Sequence, residues 1–199
     1  MMKDWFGNIE LNGNNVRLVP LDKSHKQGLL NAASDGKLWE LWFTSVPSAS
    51  NIDDYIESAL VEKTEGKGFP FVVEDKISGE IIGSTRYCNA TPEHKRLEIG
   101  FTWYSKKYQR TGINTECKQL LLTYAFETLN CIAVEFRTHW HNLRSRTAIA
   151  RLGAKQDGIL RNHRINSDGS YKDTVVFSIT DQEWNGVKRS LEYQIKKYD

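Results

Sequence analysis

The stretch best suited to chemistry is "YQRTGINTEC", Tyr108 to Cys117. Gln109, Arg110, Thr111, Gly112, Ile113, Asn114 and Thr115 make a short polar turn around one glycine, and an amphipathic helix follows at once. The first amides of a helix lack intrahelical partners and carry the positive end of its macrodipole. A turn in front adds further N–H groups, and Gly112 lets backbone approach a ligand with no Cβ in the way. Phosphate is the natural guest of such a cradle. The plainer alternative is that Gly112 merely permits a tight connection, with Asn114 or Thr115 capping a structural helix. Glu116, in the first turn, has to point away from any bound phosphate. Two better-specified phosphate motifs do not occur: there is no G-x-x-x-x-G-K-[ST], and no G-x-G-x-x-G follows a strand.

The elements around the turn are legible from periodicity. In "LEIGFTWY", Leu97, Ile99, Phe101 and Trp103 alternate with Glu98, Gly100 and Thr102, the period of a strand with no visible bulge. After the turn, Cys117, Leu120, Leu121, Tyr124, Ala125 and Leu129 give one apolar stripe, predicting a helix from about Thr115 to Leu129. "IAVEFRT" is a second strand, so strand, helix and strand form a βαβ unit with parallel strands. "NLRSRTAIARL" predicts a shorter helix from Asn142 to a glycine cap at Gly153. Towards the N-terminus, an Asn12-Gly13-Asn14 turn, a helix from Asp22 to about Ala33, and a helix capped by Asn51 carrying Ile52, Tyr55, Ile56, Ala59 and Leu60 are expected. "FPFVVED" and "EIIGSTRYC" form a hairpin over Lys76–Gly79. A second hairpin is expected over Asn166-Ser167-Asp168-Gly169, and a capping box of Thr180 and Glu183 starts a last helix burying Trp184, Val187, Leu191 and Ile195. Repeats and linkers are absent, so residues 1–199 are expected to form one mixed α/β domain with hairpins at both ends of a βαβ centre.

The span from Glu98 to Ala154, with its "EIG" strand, "QRTGINTE" turn and "NLRSRTAIARLGA" helix, resembles the GNAT acetyltransferase superfamily, and within it the branch of ribosomal-protein N-terminal acetyltransferases. The resemblance implies a twisted, mostly antiparallel sheet with a central parallel βαβ unit and flanking helices. It implies that Gln109 to Thr115 hold the pyrophosphate of acetyl-coenzyme A through main-chain N–H groups, with the pantetheine arm between two splaying parallel strands. The superfamily usually has glycine or alanine at Asn114; the ribosomal branch shares the asparagine.

By the same resemblance, acetyl transfer to an amine assigns candidate roles. Glu98 is the candidate base, acting through water; a surface ion pair with Arg86 or Arg96 explains it equally well. Ser145, on one helix face with Ala148, Ile149 and Leu152, is the candidate to protonate or solvate the departing thiolate; a serine bonding back to a helical carbonyl is the alternative. A bulge near Thr102 or Trp103 would offer backbone N–H to the thioester oxygen. Asn142 caps its helix and would also touch the coenzyme. Arg146, with Arg144 or Arg151, would meet the ribose phosphate, although a solvated basic face accounts for at least two of the three. Trp39, Trp42 and Phe43 would wall the acceptor cleft, or else plug the core under the first helices. His139 and His141 lack a third ligand at useful spacing, so no metal is expected.

Whole-chain properties fit this reading. With 39% hydrophobic and 26% charged residues and a formal charge of +2, the composition is that of a soluble globular chain with no general pull toward membranes or nucleic acid. Cys88, Cys117 and Cys131 are scattered and odd in number, as in reduced cytoplasmic proteins. No leader or spanning segment is evident, and a homodimer is a reasonable expectation because terminal strands in this fold often pair. The expected partner is an amine: a protein N-terminus, or a small molecule such as an aminoacyl-nucleotide or an amino-sugar antibiotic. Beside these stand a non-catalytic acetyl-coenzyme A sensor and, more distantly, a nucleic-acid module using Arg137, Arg144, Arg146, Arg151, Arg161 and Arg164.

Overall fold

The computed structural model describes residues 5–166 and 168–197. In chain order the elements are β1 (Leu11–Asn12), β2 (Val16–Pro20), α1 (Lys26–Ser34), α2 (Ile52–Thr64), β3 (Phe69–Asp75), β4 (Ile81–Thr91) and β5 (Arg96–Tyr104). Then follow α3 (Ile113–Thr123), β6 (Ala133–His139), α4 (Leu143–Arg151), β7 (Lys155–Ile165), β8 (Tyr171–Thr180) and α5 (Asp181–Ile195). The strands form one sheet in the order β1-β2-β3-β4-β5-β6-β8-β7. β5 and β6 run parallel, as the βαβ reading requires, and the other neighbours are antiparallel. β7 and β8 pair as expected, while Ser167 of their turn lies outside the described residues.

The sheet separates two apolar cores. On one face, Ile113, Cys117, Leu121 and Leu122 of α3 pack with Trp184, Val187 and Leu191 of α5 over Leu97, Ile99, Val134 and Phe136. On the other, Leu29, Ala32 and Ala33 of α1 and Ile52, Ile56 and Ala59 of α2 enclose Val72 and Trp103. Each fully buried large aliphatic side chain contributes roughly 1.5–3 kcal/mol, so the α3 stripe alone fastens that helix to the sheet. The capping box of Thr180 and Glu183 forms as expected. Asn51, however, does not cap α2: its Oδ1 accepts from the Ser48 backbone N–H at 2.7 Å and holds the preceding loop.

β5 departs from the regular alternation its sequence suggests. Phe101 is left-handed at φ 52°, and the register against β4 shifts between Arg86↔Gly100 and Ser84↔Trp103. This is a β-bulge, which reverses the phase of the side chains beyond it. Leu97 and Ile99 therefore share the α3-side core with Tyr104, while Trp103 joins the α1/α2-side core. Phe101 is left partly exposed. The bulge lies where the family resemblance implied one; the alternation of residues does not reveal it, because Gly100 and Thr102 are small enough for either face.

Candidate active site

β5 and β6 pair only over Arg96↔Ala133, Leu97↔Val134 and Glu98↔Glu135. Beyond Glu98 the β6-facing edge of β5, bulge included, has no strand partner among the described residues. The α3 turn lies at the far end of that unpaired edge.

Gly112 occupies the N-cap of α3 with φ −66° and ψ −16°, so the helix starts two residues before Thr115 and neither Asn114 nor Thr115 caps it. The tight connection does not depend on a left-handed Gly112: the left-handed residue of the turn is Arg110, at φ 63°. The turn is braced from within, since Gln109 Nε2 donates to Tyr104 O at 2.9 Å and Thr111 Oγ1 donates to Tyr108 O at 2.7 Å. Among the described residues, the N–H groups of Arg110, Thr111, Gly112, Asn114 and Thr115 have no acceptor, and that of Ile113 has only a 3.4 Å contact with Thr111 Oγ1. Such a run of free amides at a helix start fits a polyphosphate. Glu116 points away from them, as expected. Its carboxylate accepts from the backbone of Asn14 and Asn15 and from Asn15 Nδ2, clasping the β1–β2 turn. The hollow on that side of Gly112, lined by Asn15, Asp75, Tyr108 and Glu116, is acidic and unsuited to phosphate.

Glu98 faces the α1/α2 side of the sheet, yet it is buried, with 8% of its surface exposed. Asn89 Nδ2 donates to its Oε2 at 2.7 Å and Arg137 Nε lies 3.6 Å from the same oxygen. The expected partners are engaged elsewhere: Arg96 pairs with Glu135 at 2.7 Å, and Arg86 approaches Glu62 at 3.8 Å. Burial raises the Glu98 carboxyl above its ordinary range, against the pull of Asn89 and Arg137. Asn89 carries no motif signal. It reaches Glu98 because it sits left-handed, φ 49°, where β4 itself slips register, a conformation asparagine tolerates.

The aromatic sandwich around Arg86 and the burial of Lys118 had no sequence signal. Arg86 is sandwiched between the Tyr55 and Phe101 rings, 4.4 and 4.3 Å from their centroids. Lys118 is buried beneath the bulge, with Nζ 2.6 Å from Thr102 Oγ1.

On α4, Asn142 caps as expected, its side chain accepting from Ser145 N–H at 3.1 Å. Ser145 is half-buried on the face of Ile149 and Leu152, and its hydroxyl makes no bond back to a helical carbonyl. Arg146 stacks on Trp140 at 4.2 Å and donates to the Trp140 carbonyl at 3.2 Å, so it braces the end of β6. Trp39 and Trp42 are exposed, whereas Leu38 and Val46 plug the α1/α2 core. Trp42 packs on Phe43 and, 4.9 and 5.8 Å away, on His139 and His141. Among the described residues no group of three or more His, Cys, Asp or Glu could hold a metal ion. The three cysteines are buried and unpaired, and burial pushes the Cys117 thiol up to about 12. No helix among the described residues is long and apolar enough to cross a membrane.

The same fold recurs in known proteins. A GCN5-related N-acetyltransferase from Brucella melitensis superposes with a TM-score of 0.85 at 28% identity, over 94% of this chain and 86% of its own. RimJ of Mycobacterium smegmatis, solved with a coenzyme A disulfide, shares the fold at a TM-score of 0.79 and 20% identity, over 94% and 95% of the two chains. YdaF of Bacillus subtilis strain 168, whose name proposes a ribosomal N-acetyltransferase, is 31% identical over 110 residues; the match spans 55% of this chain and 59% of YdaF. The family model of the acetyltransferase (GNAT) domain matches residues 15–155, and the chain belongs to that family.

Proposed function

We propose that the chain is an acetyl-coenzyme A-dependent N-acetyltransferase whose acceptor is a protein N-terminal α-amine. The observation that carries this is the opening between β5 and β6, with unpartnered amides at one end and the buried carboxylate of Glu98 at the other. The ribosomal label of YdaF and the coenzyme in RimJ support the choice of acceptor and donor.

Acetyl-coenzyme A would supply the acetyl group as a thioester. The amides of Arg110 to Thr115 would hold its pyrophosphate, and the unpaired edge of β5 would offer N–H groups to the carbonyl oxygen. The acceptor nitrogen attacks the carbonyl carbon; the C–N bond forms and the C–S bond breaks. Glu98, through water, takes the proton the amine loses, and its raised carboxyl range suits that task. Ser145 donates a hydrogen bond or a proton to the leaving thiolate. Trp42, with His139 beneath it, walls the acceptor side.

The test is thiol release from acetyl-coenzyme A against peptides of varied N-terminal residue, aminoacyl-adenylate mimics, polyamines and aminoglycosides. Release with peptides, and acetyl found on their α-nitrogen, is expected. Release with small amines alone would reassign the acceptor, and tight binding without turnover would indicate a sensor.

A further inference from the structure

Lys118 sits at the sixth position of α3 with 4% of its surface exposed. A buried ammonium carries a desolvation penalty of several kcal/mol, normally offset by a carboxylate. Here the partners are two neutral hydroxyls: Nζ lies 2.6 Å from Thr102 Oγ1 and 3.2 Å from Thr85 Oγ1. No carboxylate among the described residues pairs with it, and its titratable neighbours are the thiols of Cys117 and Cys88. Retaining an uncompensated buried cation calls for a reason other than stability.

The hydrogen-bond directions suggest one. An ammonium only donates, so both threonine oxygens must accept from Lys118 and pass their own protons onward. The two oxygens are 2.8 Å apart, and Thr102 Oγ1 lies 3.4 Å from Gly100 O. The arrangement that uses every contact runs Thr85 O–H to Thr102, then Thr102 O–H to the Gly100 carbonyl. Gly100 O and Phe101 N–H belong to one planar trans peptide and point in opposite directions. Holding the carbonyl therefore aims the amide, at the left-handed residue where β5 has lost its β6 partner.

We propose that Lys118 is a positioning residue for acyl transfer: through the Thr102 and Thr85 hydroxyls its ammonium fixes the Gly100–Phe101 peptide, and with it the N–H that meets the thioester oxygen. This rests on the acetyltransferase reading above. Lys118 itself touches neither substrate.

The experiment compares wild type with Lys118→Met, which removes the donor, and Thr102→Val, which removes the relay. Acetyl-coenzyme A binding is measured by calorimetry, kcat with a saturating peptide acceptor, and the infrared stretch of the carbonyl-labelled thioester in the bound complex. Wild type should show a carbonyl stretch lowered from its value in water. Both variants should keep acetyl-coenzyme A affinity within about threefold, lose at least about tenfold in kcat, and return the stretch toward the value in water. A purely structural lysine would leave the stretch of the bound thioester unchanged. If the variants match wild type in carbonyl stretch, or keep kcat within about twofold, the positioning role is overturned while the acetyltransferase reading stands. If wild type does not bind acetyl-coenzyme A, both fall. Should Lys118→Met not fold, Thr102→Val decides alone.

Discussion

Glu98 is held by opposing influences, burial raising its carboxyl and Asn89 and Arg137 lowering it, with burial dominant. A base works deprotonated, so kcat should rise with pH through a midpoint above the ordinary glutamate value of 4.5. Glu98→Gln should lower kcat about a hundredfold and remove that ascending limb, read from initial rates across pH. A profile that keeps the limb would place the base elsewhere. Ser145→Ala should reduce kcat about tenfold and barely alter acetyl-coenzyme A affinity; turnover equal to wild type would make Ser145 structural. At this scale the sequence marked Glu98 and Ser145 through the motifs around them. Asn89 and Lys118 stayed hidden because their positions depend on a register slip and a bulge, which residue types do not announce.

Among the elements, α3 and its turn were the most legible, since helical spacing and the polar run are local properties. The backbone detail was not: the left-handed residue is Arg110, and Gly112 has ordinary helical angles. The bulge in β5 was implied by the family resemblance and not by the residues themselves, since alternation of apolar and small residues reads as unbroken whichever face each one takes. α3 also carries a stability prediction. Burial lowers the Lys118 ammonium from 10.5 to about 8. The unfolded chain therefore binds the proton more strongly between those values, and folding gains stability as pH rises through that window. Below it the wild type bears a penalty of up to a few kcal/mol that Lys118→Met escapes. Denaturant unfolding of the two proteins should show the methionine variant at least as stable at pH 7, with wild type gaining on it by pH 10. A methionine variant much weaker at pH 7 would mean that the hydroxyl contacts outweigh the desolvation.

Across the molecule, the sheet divides the work between its faces. The α3 turn belongs to the α3/α5 side, whereas Glu98, His139 and Trp42 lie on the α1/α2 side, so donor and acceptor would approach from different directions and meet at the β5–β6 opening. Trp42→Ala should then raise the acceptor KM about tenfold or less while leaving acetyl-coenzyme A affinity unchanged; a parallel loss of coenzyme affinity would refute the division. The βαβ centre and both hairpins could be read in advance because their signals are local. The acceptor side could not be read so far, since Trp42 reaches His139 only through the tertiary fold. The most direct test of the central claim is a calorimetric titration of wild type and Gly112→Trp with acetyl-coenzyme A. Gly112 has backbone angles open to any residue, so tryptophan there meets no backbone penalty, and its bulk is expected to block the cradle. One-to-one binding by wild type and none by the variant is the predicted result; equal affinity in the two would contradict the site.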